Sequence, residues 1–327
     1  MLQYLIVLLD DTSVSYCHYS NAKTERKLIA LSDLKEAVLF SMKRNLTIQF
    51  IYPDYALPPE YKDLIESVPH TKIASSSAIE KGIADIVVIN NWQDLQDCSF
   101  DETTIYVWRT LKGDFFNHYN LIIGILEKVV RLNIIITDIE TFDEEDFKAY
   151  QRVLNVISDS VEKIYNKKEV QLNLLTDRMM LEKMNNCNAG WESITFAPDG
   201  RFYICPAFYQ EGLYSVGDLK SGLTIKNPLL YRLDHAPLCR NCDAYQCQRC
   251  IWLNNKTTLE VNTPSHEQCV VSHLERNASR TLLENIRQHR SFLPNQEIKE
   301  IDYLDPFDVR KAVSYTHLRA HETVLDL

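Results

Sequence analysis

Cysteine placement constrains this chain more tightly than any other feature of its sequence. Seven of the nine cysteines fall between Cys187 and Cys269. Cys187 is followed by twelve residues, Gly200, four residues and Cys205. The run CRNCDAYQCQRC then sets Cys239, Cys242, Cys247 and Cys250 within twelve residues, and Cys269 closes the set. A CxxC pair delivers two sulfurs from one tight turn, the recurring unit of iron–sulfur and zinc ligation alike. Two such pairs only four residues apart crowd a single metal, so they are expected to serve two sites, each completed by more distant cysteines.

Two chemistries answer to this pattern. Iron–sulfur clusters take four thiolates each. Zinc takes four tetrahedral ligands and uses the same knuckle, but one zinc ion leaves three of the seven cysteines without a role. Disulfides are the third reading and depend on compartment. The opening MLQYLIVLLDDTS has no basic leader and no small-residue cleavage site, and Asp10 and Asp11 end its apolar run. No later segment is long and apolar enough to span a bilayer. A cytoplasmic location is therefore expected, where clustered cysteines serve as metal ligands rather than disulfides. The net charge of −10 argues against a nucleic-acid partner, which requires a basic face to neutralise phosphates, and no membrane partner is expected.

The first half of the chain has a different texture. Leu2 to Leu9 is a near-continuous apolar run, as in a strand covered on both faces. LTIQFIY (46–52), ADIVVINN (84–91), TTIYVWRT (103–110), NIIITDI (133–139) and VQLNLLT (170–176) read as five more strands. Asp33 and Glu36 suggest a helix-starting box before LKEAVLFSMKRN. Phe115, Tyr119, Ile122, Leu126 and Val129 recur at helical spacing, as do Phe147, Tyr150, Leu154, Ile157, Val161 and Ile164. The acidic start FDEEDF suits the positive end of that last helix. Six strands alternating with helices predict a parallel α/β layer or partial barrel.

Beyond Asp177 strands shorten, turns multiply and cysteines appear, so a boundary is expected near 178–186. In WESITFAPDGRFYIC, Asp199-Gly200 marks a hairpin that returns Cys205 toward Cys187. The stretch 206–271 reads as loops carrying the remaining ligands, and SHLERNASRTLLENIRQHRSF (272–292) as a closing helix. Residues 313–327 fit nothing before them and read as a non-native tail resembling translated adapter sequence, with the natural chain truncated near Ala312.

The cysteine pattern, with FAPDGRFYICPAF and SVGDL beside it, resembles the twin-cluster SPASM domain appended to radical-SAM enzymes that modify peptides. The first half of that motif is matched in full. The second half is one residue shorter in two gaps, with four and two residues where the family has five and three. The resemblance implies two [4Fe–4S] clusters. By position Cys187, Cys205 and Cys250 hold the first, and Cys239, Cys242, Cys247 and Cys269 the second. Family members with a fully ligated first cluster have one more upstream cysteine, and this chain offers none between Cys98 and Cys187. One iron of that cluster is thus expected to be open to water, a nearby side chain or a substrate thiolate.

The expected architecture is a partial (β/α)6 radical-SAM-like barrel over residues 1–180, a small loop-rich cysteine-ligated SPASM domain over 181–292, and a terminal segment over 293–312. The CxxxCxxC that holds the S-adenosylmethionine cluster in such enzymes is missing. After the first strand stands DDTSVSYCHY, where aligning Cys17 with the third cysteine leaves Asp10 and Val14 for the others. S-adenosylmethionine is therefore not an expected cofactor. LLDDTSVSYCHY, IYPDYALP and LEVNTPSHEQC extend the likeness along nearly the whole chain to CXXX repeat peptide maturases. That resemblance implies a role in maturing a ribosomally made peptide with cysteine at every fourth position, with a radical-SAM enzyme or electron donor as a further partner.

Other residues carry weaker signals. Cys17-His18 with Asp10 and Asp11 reads as a polar loop capping a strand, or as a repurposed site. Cys98 reads as a small buried hydrophobe. His235, His266 and His273 lie near the cysteines in sequence; one could complete the first cluster, and surface or hydrogen-bonding roles are the default. Trp191 and Trp252 read as core aromatics, and Arg240, Arg249 and Lys256 as cations that screen cluster charge. Three functions fit this sequence: a maturation enzyme or subunit, a non-catalytic adaptor that presents the peptide to a radical-SAM partner, and a zinc-stapled structural protein.

Overall fold

A computed structural model of the chain describes residues 2–77, 84–165, 167–184 and 186–307. Seven strands lie side by side in chain order: β1 (Tyr4–Leu8), β2 (Thr47–Ile51), β3 (His70–Ser75), β4 (Ile86–Ile89), β5 (Ile105–Thr110), β6 (Arg131–Ile136) and β7 (Gln171–Leu172). Each neighbouring pair is parallel. Parallel neighbours require crossovers, and among the described residues helices α1 (Leu31–Arg44), α2 (Pro59–Glu66), α3 (Trp92–Asp97), α4 (Lys112–His118), α5 (Asn120–Leu126) and α6 (Glu144–Tyr165) supply five of the six. Sequential order with parallel pairing is the α/β arrangement of an open (β/α) barrel, as the alternation of strands and helices predicts.

Local differences from the sequence reading have local causes. β3, with the sequence HTKIAS, has neither an apolar run nor clean alternation, yet it sits between two well-marked strands that need a partner. The helix that begins the chain starts at Leu31 with Ala30 as N-cap, and no side chain caps it. Asp33 therefore lies in its first turn, where it meets the helix dipole, and the Asp33–Glu36 box does not form. The apolar series from Phe115 to Val129 is split between α4 and α5 at Tyr119. α6 forms as its spacing predicts, burying Phe147, Tyr150, Leu154, Ile157, Val161 and Ile164.

After the short α7 (Thr176–Met180), the hairpin β8 (Ser193–Phe196) and β9 (Phe202–Tyr203) forms around Asp199-Gly200. Gly200 takes a φ of +78°, which the turn requires and a side chain resists. β8 pairs in parallel with β1 from Tyr4↔Ser193 to Val7↔Phe196, so the hairpin extends the same sheet beyond β1. The loop-rich stretch then carries α8 (Pro206–Gln210), the small ladder of β10 (Gly217–Asp218) and β11 (Gly222–Leu223), and α9 (Ile251–Thr258).

α10 (His266–His289) follows and starts six residues earlier than the apolar pattern marks. Ser265 and Gln268 form a reciprocal capping box at its start. That start places Cys269 in the first helical turn. α10 lies along α6, and the Tyr150 hydroxyl donates to Glu275 Oε1 at 2.6 Å. Among the described residues no helix is long and apolar enough to cross a membrane. The tail expected at 313–327 lies outside the described residues.

Candidate metal centres

Cys239, Cys242, Cys247 and Cys269 line one largely apolar cavity, walled by Met184, Leu238, Ala244 and Pro306 among others. Three of the sulfurs come from the turns at 239–247, and the fourth from the capped first turn of α10. The backbone N–H of Ala244 donates to Cys242 Sγ, and that of Arg249 to Cys247 Sγ, each at 3.4 Å. Such N–H···S bonds from two residues ahead favour a thiolate and tune any cluster it holds.

Against this, burial pushes the Cys239 thiol up to about 12 and the Cys242 thiol up to about 11, with neighbouring cysteines adding to the rise. Burial raises Cys269 further still. The uncharged thiols suit a low-dielectric cavity, whereas four thiolates would be stable there only around a cationic body. Among the described residues no three Cys, His, Asp or Glu side chains converge on a single ion position. The four cysteines instead share the lining of one cavity.

The rim of this cavity is tied to the helices around it by ion pairs to buried arginines. Asp243, next to Cys242, accepts from Arg276 at 2.7 Å and from Arg178 at 3.1 Å, and both guanidiniums are buried. Burial opposes the Asp243 charge, but the two arginines outweigh it and hold its pKa below the usual carboxylate range. The 242–247 turn is thereby tied to α7 and α10 at once. His273 donates from Nδ1 to Cys269 O at 2.8 Å and brings Nε2 to 3.7 Å from Cys242 Sγ. It therefore sits beside Cys242 and Cys269 in the hydrogen-bonding role read as the default. His266 pairs with Asp305 at 2.6 Å, and His235 is exposed.

Cys187, Cys205 and Cys250 form the other grouping. Cys205 is the N-cap of α8 and Cys250 the N-cap of α9, positions where helix amides favour a thiolate. Their thiols act on one another: burial first, then Cys250 and Cys187, raise Cys205, while burial and then Cys187 raise Cys250. Cys187 keeps an exposed face. It opens on a polar cleft of about 860 Å³ whose walls include Gln3, Tyr4 and Ile6 from the start of β1, Trp191, Lys183 and Arg240. The surrounding protein still raises its pKa.

Arg249 lies between the two groupings. It is buried, donates to the carbonyls of Tyr231 and Arg232 and to Asn262 Oδ1, and acts on Cys187, Cys239 and Cys247. Of the three cations read as charge screens, only Arg249 is placed among the sulfurs. Lys256 pairs with Glu140 at 2.8 Å, and Arg240 faces the cleft. Trp252 is buried and Trp191 partly so. Cys98 stands apart, partly buried at the end of α3. None of the nine cysteines is disulfide-bonded.

The loop 10–23, which the sequence marks as a polar cap or a repurposed site, reveals more in three dimensions. Asp10 and Asp11 are buried, and Tyr55 and Tyr209 donate to them. His18 contacts Ile136 O at 3.2 Å and is held neutral, because burial lowers its pKa to about 4. Burial, Cys187 and Cys250 together push the Cys17 thiol well up. Cys17 thus lies within electrostatic reach of the first grouping, a proximity with no local signal in the sequence.

Fold and site together define an α/β protein with a sequential parallel sheet and a carboxyl-terminal cysteine-rich region. In fold the chain is similar to SuiB from Streptococcus suis bound to S-adenosylmethionine, with a TM-score of 0.46 at 10% identity over 82% of this chain and 75% of that one. It is similar also to SuiB bound to the precursor peptide SuiA (TM-score 0.44, 11% identity, 76% and 70% covered), and to HydG, a maturase of the [FeFe]-hydrogenase (TM-score 0.25, 9% identity, 91% and 83% covered). No family model and no curated protein matches the chain.

Proposed function

We propose that this protein takes part in maturing a cysteine-repeat peptide, using two [4Fe–4S] clusters held in its carboxyl-terminal region. One observation carries the reading: four cysteines line a single largely apolar cavity, while a second grouping sits where Cys187 opens on the 860 Å³ cleft. The donor set matches the cofactor in number and kind, since a cube takes one thiolate at each of four irons and four cysteines line the one cavity. Cys239, Cys242, Cys247 and Cys269 hold one cluster, and Cys187, Cys205 and Cys250 hold the other. When bound, such clusters carry single electrons or offer an iron to a thiolate.

The protein's own residues do the rest. Apolar walls exclude water from the second site, Arg249 offsets the charge of both, and the cleft beside Cys187 receives the peptide. The chain acts as maturase or as a subunit beside a radical-SAM enzyme or electron donor, without a radical-SAM cluster of its own.

A fluorescently labelled peptide with cysteine at every fourth position, titrated anaerobically into the metal-loaded protein, tests the peptide assignment. Saturable binding that weakens at least tenfold when the peptide's cysteines become serines is expected. Equal affinity for the two peptides, or no binding of either, would sink it.

A further inference from the structure

We propose that Cys17 is the fourth protein ligand of the first cluster, completing Cys187, Cys205 and Cys250. This rests on the two-cluster reading above and goes beyond it by closing the open iron position. The missing cysteine is sought in vain just upstream of Cys187 because it comes from the far end of the chain, after β1.

The backbone places it there. The loop leaves β1 and folds back over the sheet, so that Tyr16 lines the same cleft as Gln3, Tyr4 and Cys187. On the other side of Cys17, His18 lines the same small cavity as Cys250. Cys17 is therefore bracketed by neighbours that reach the surroundings of two of the three ligands.

The third ligand is tied in through α8, which Cys205 caps. From that helix Gln210 accepts from the amides of Ala22 and Lys23 at 3.2 and 3.1 Å and donates to Asp11 O at 3.0 Å. The buried Arg109 clamps the loop from the sheet side, donating to Cys17 O at 2.7 Å, to Tyr19 O, and to Asn90 Oδ1 at 2.7 Å. A buried arginine spending two donors on carbonyls within three residues fixes the backbone of Cys17 rather than its side chain. The sulfur is left for another task. Cys17 thus occupies the strand-end position where a radical-SAM cluster would have its cysteines, but serves the carboxyl-terminal site.

Full cysteine ligation gives the first cluster no exchangeable iron, so it carries electrons or braces the loop, and the cleft distinguishes cysteine from serine in the peptide by contacts with its walls rather than by an iron–sulfur bond. The test uses the full chain with the second site disabled by Cys239→Ala and Cys242→Ala, so that the remaining cluster is read alone. Cys17→Ala and Cys17→Ser are compared in that background, with Cys98→Ser as the remote control and circular dichroism as the check on folding.

After anaerobic reconstitution and mild ferricyanide oxidation, the parent and the Cys98→Ser variant should keep their four-iron cluster. Cys17→Ala should lose about one iron in four and show the EPR signal of a three-iron cluster. Cys17→Ser, whose oxygen can still bind iron, should lose less. A folded Cys17→Ala variant with the parent's iron content and no three-iron signal overturns the assignment while leaving two clusters in place. A parent with zinc and no sulfide overturns the cluster reading itself.

Discussion

Glu275 shows how a single residue near the cysteines sets a pH response. Its carboxyl is buried between Tyr150, which donates at 2.6 Å, and Gln246, which donates to the other oxygen at 3.3 Å. Burial pushes its pKa from near 4.5 up to about 7, more than those two hydrogen bonds can offset. The folded state therefore holds a proton that the unfolded state has released. That contribution to stability is complete below the unfolded value and is lost as pH rises through the folded one. Unfolding free energy should fall by about 3 kcal/mol between pH 4.5 and 7 from this group, and Glu275→Gln should flatten that part of the profile. Urea melts of both proteins across this range check it, and parallel profiles would show that Glu275 is not the group responsible.

At the scale of elements, α10 joins the fold to the site. Its capping box puts Ser265 and Gln268 immediately ahead of Cys269, whose amide makes the first helical bond, to Ser265 O at 3.2 Å. Ser265→Ala should cost about 1 kcal/mol of stability. Because fraying begins at the capped end, iron should also pass to a chelator several times faster than from the parent. A stability loss with unchanged iron transfer would mean that the Cys269 turn is held from elsewhere.

This helix also marks what sequence could and could not disclose. The apolar strands, the Gly200 hairpin and the periodicity of α6 were legible because each is specified within a few residues. The start of α10 was not, because Ser265 and Gln268 were hidden behind Pro264 in a segment without apolar rhythm. β3 was missed because its neighbours in the sheet, more than its composition, make it a strand. Cys17 was legible as an oddity alone, since its approach to Cys187 and Cys250 depends on Arg109 and Gln210, each far away in the chain.

Across the whole molecule, the sheet and α10 anchor the turns and short helices that bear the clustered cysteines. β8 joins β1 directly, so the segment bearing Cys187 and Cys205 is anchored to the first strand, and α10 anchors the segment bearing Cys269 to α6. The Arg178–Asp243–Arg276 contacts lock the remaining ligand turn between them. On the proposed reading, this cross-bracing sets the seven cysteines, and Cys17 with them, around two sites. The central claim is that those sites hold iron–sulfur cubes, and iron, acid-labile sulfide and zinc per chain after anaerobic purification test it most directly. About eight irons with matching sulfide are predicted; stoichiometric zinc without sulfide would contradict the account and leave a zinc-stapled scaffold in its place.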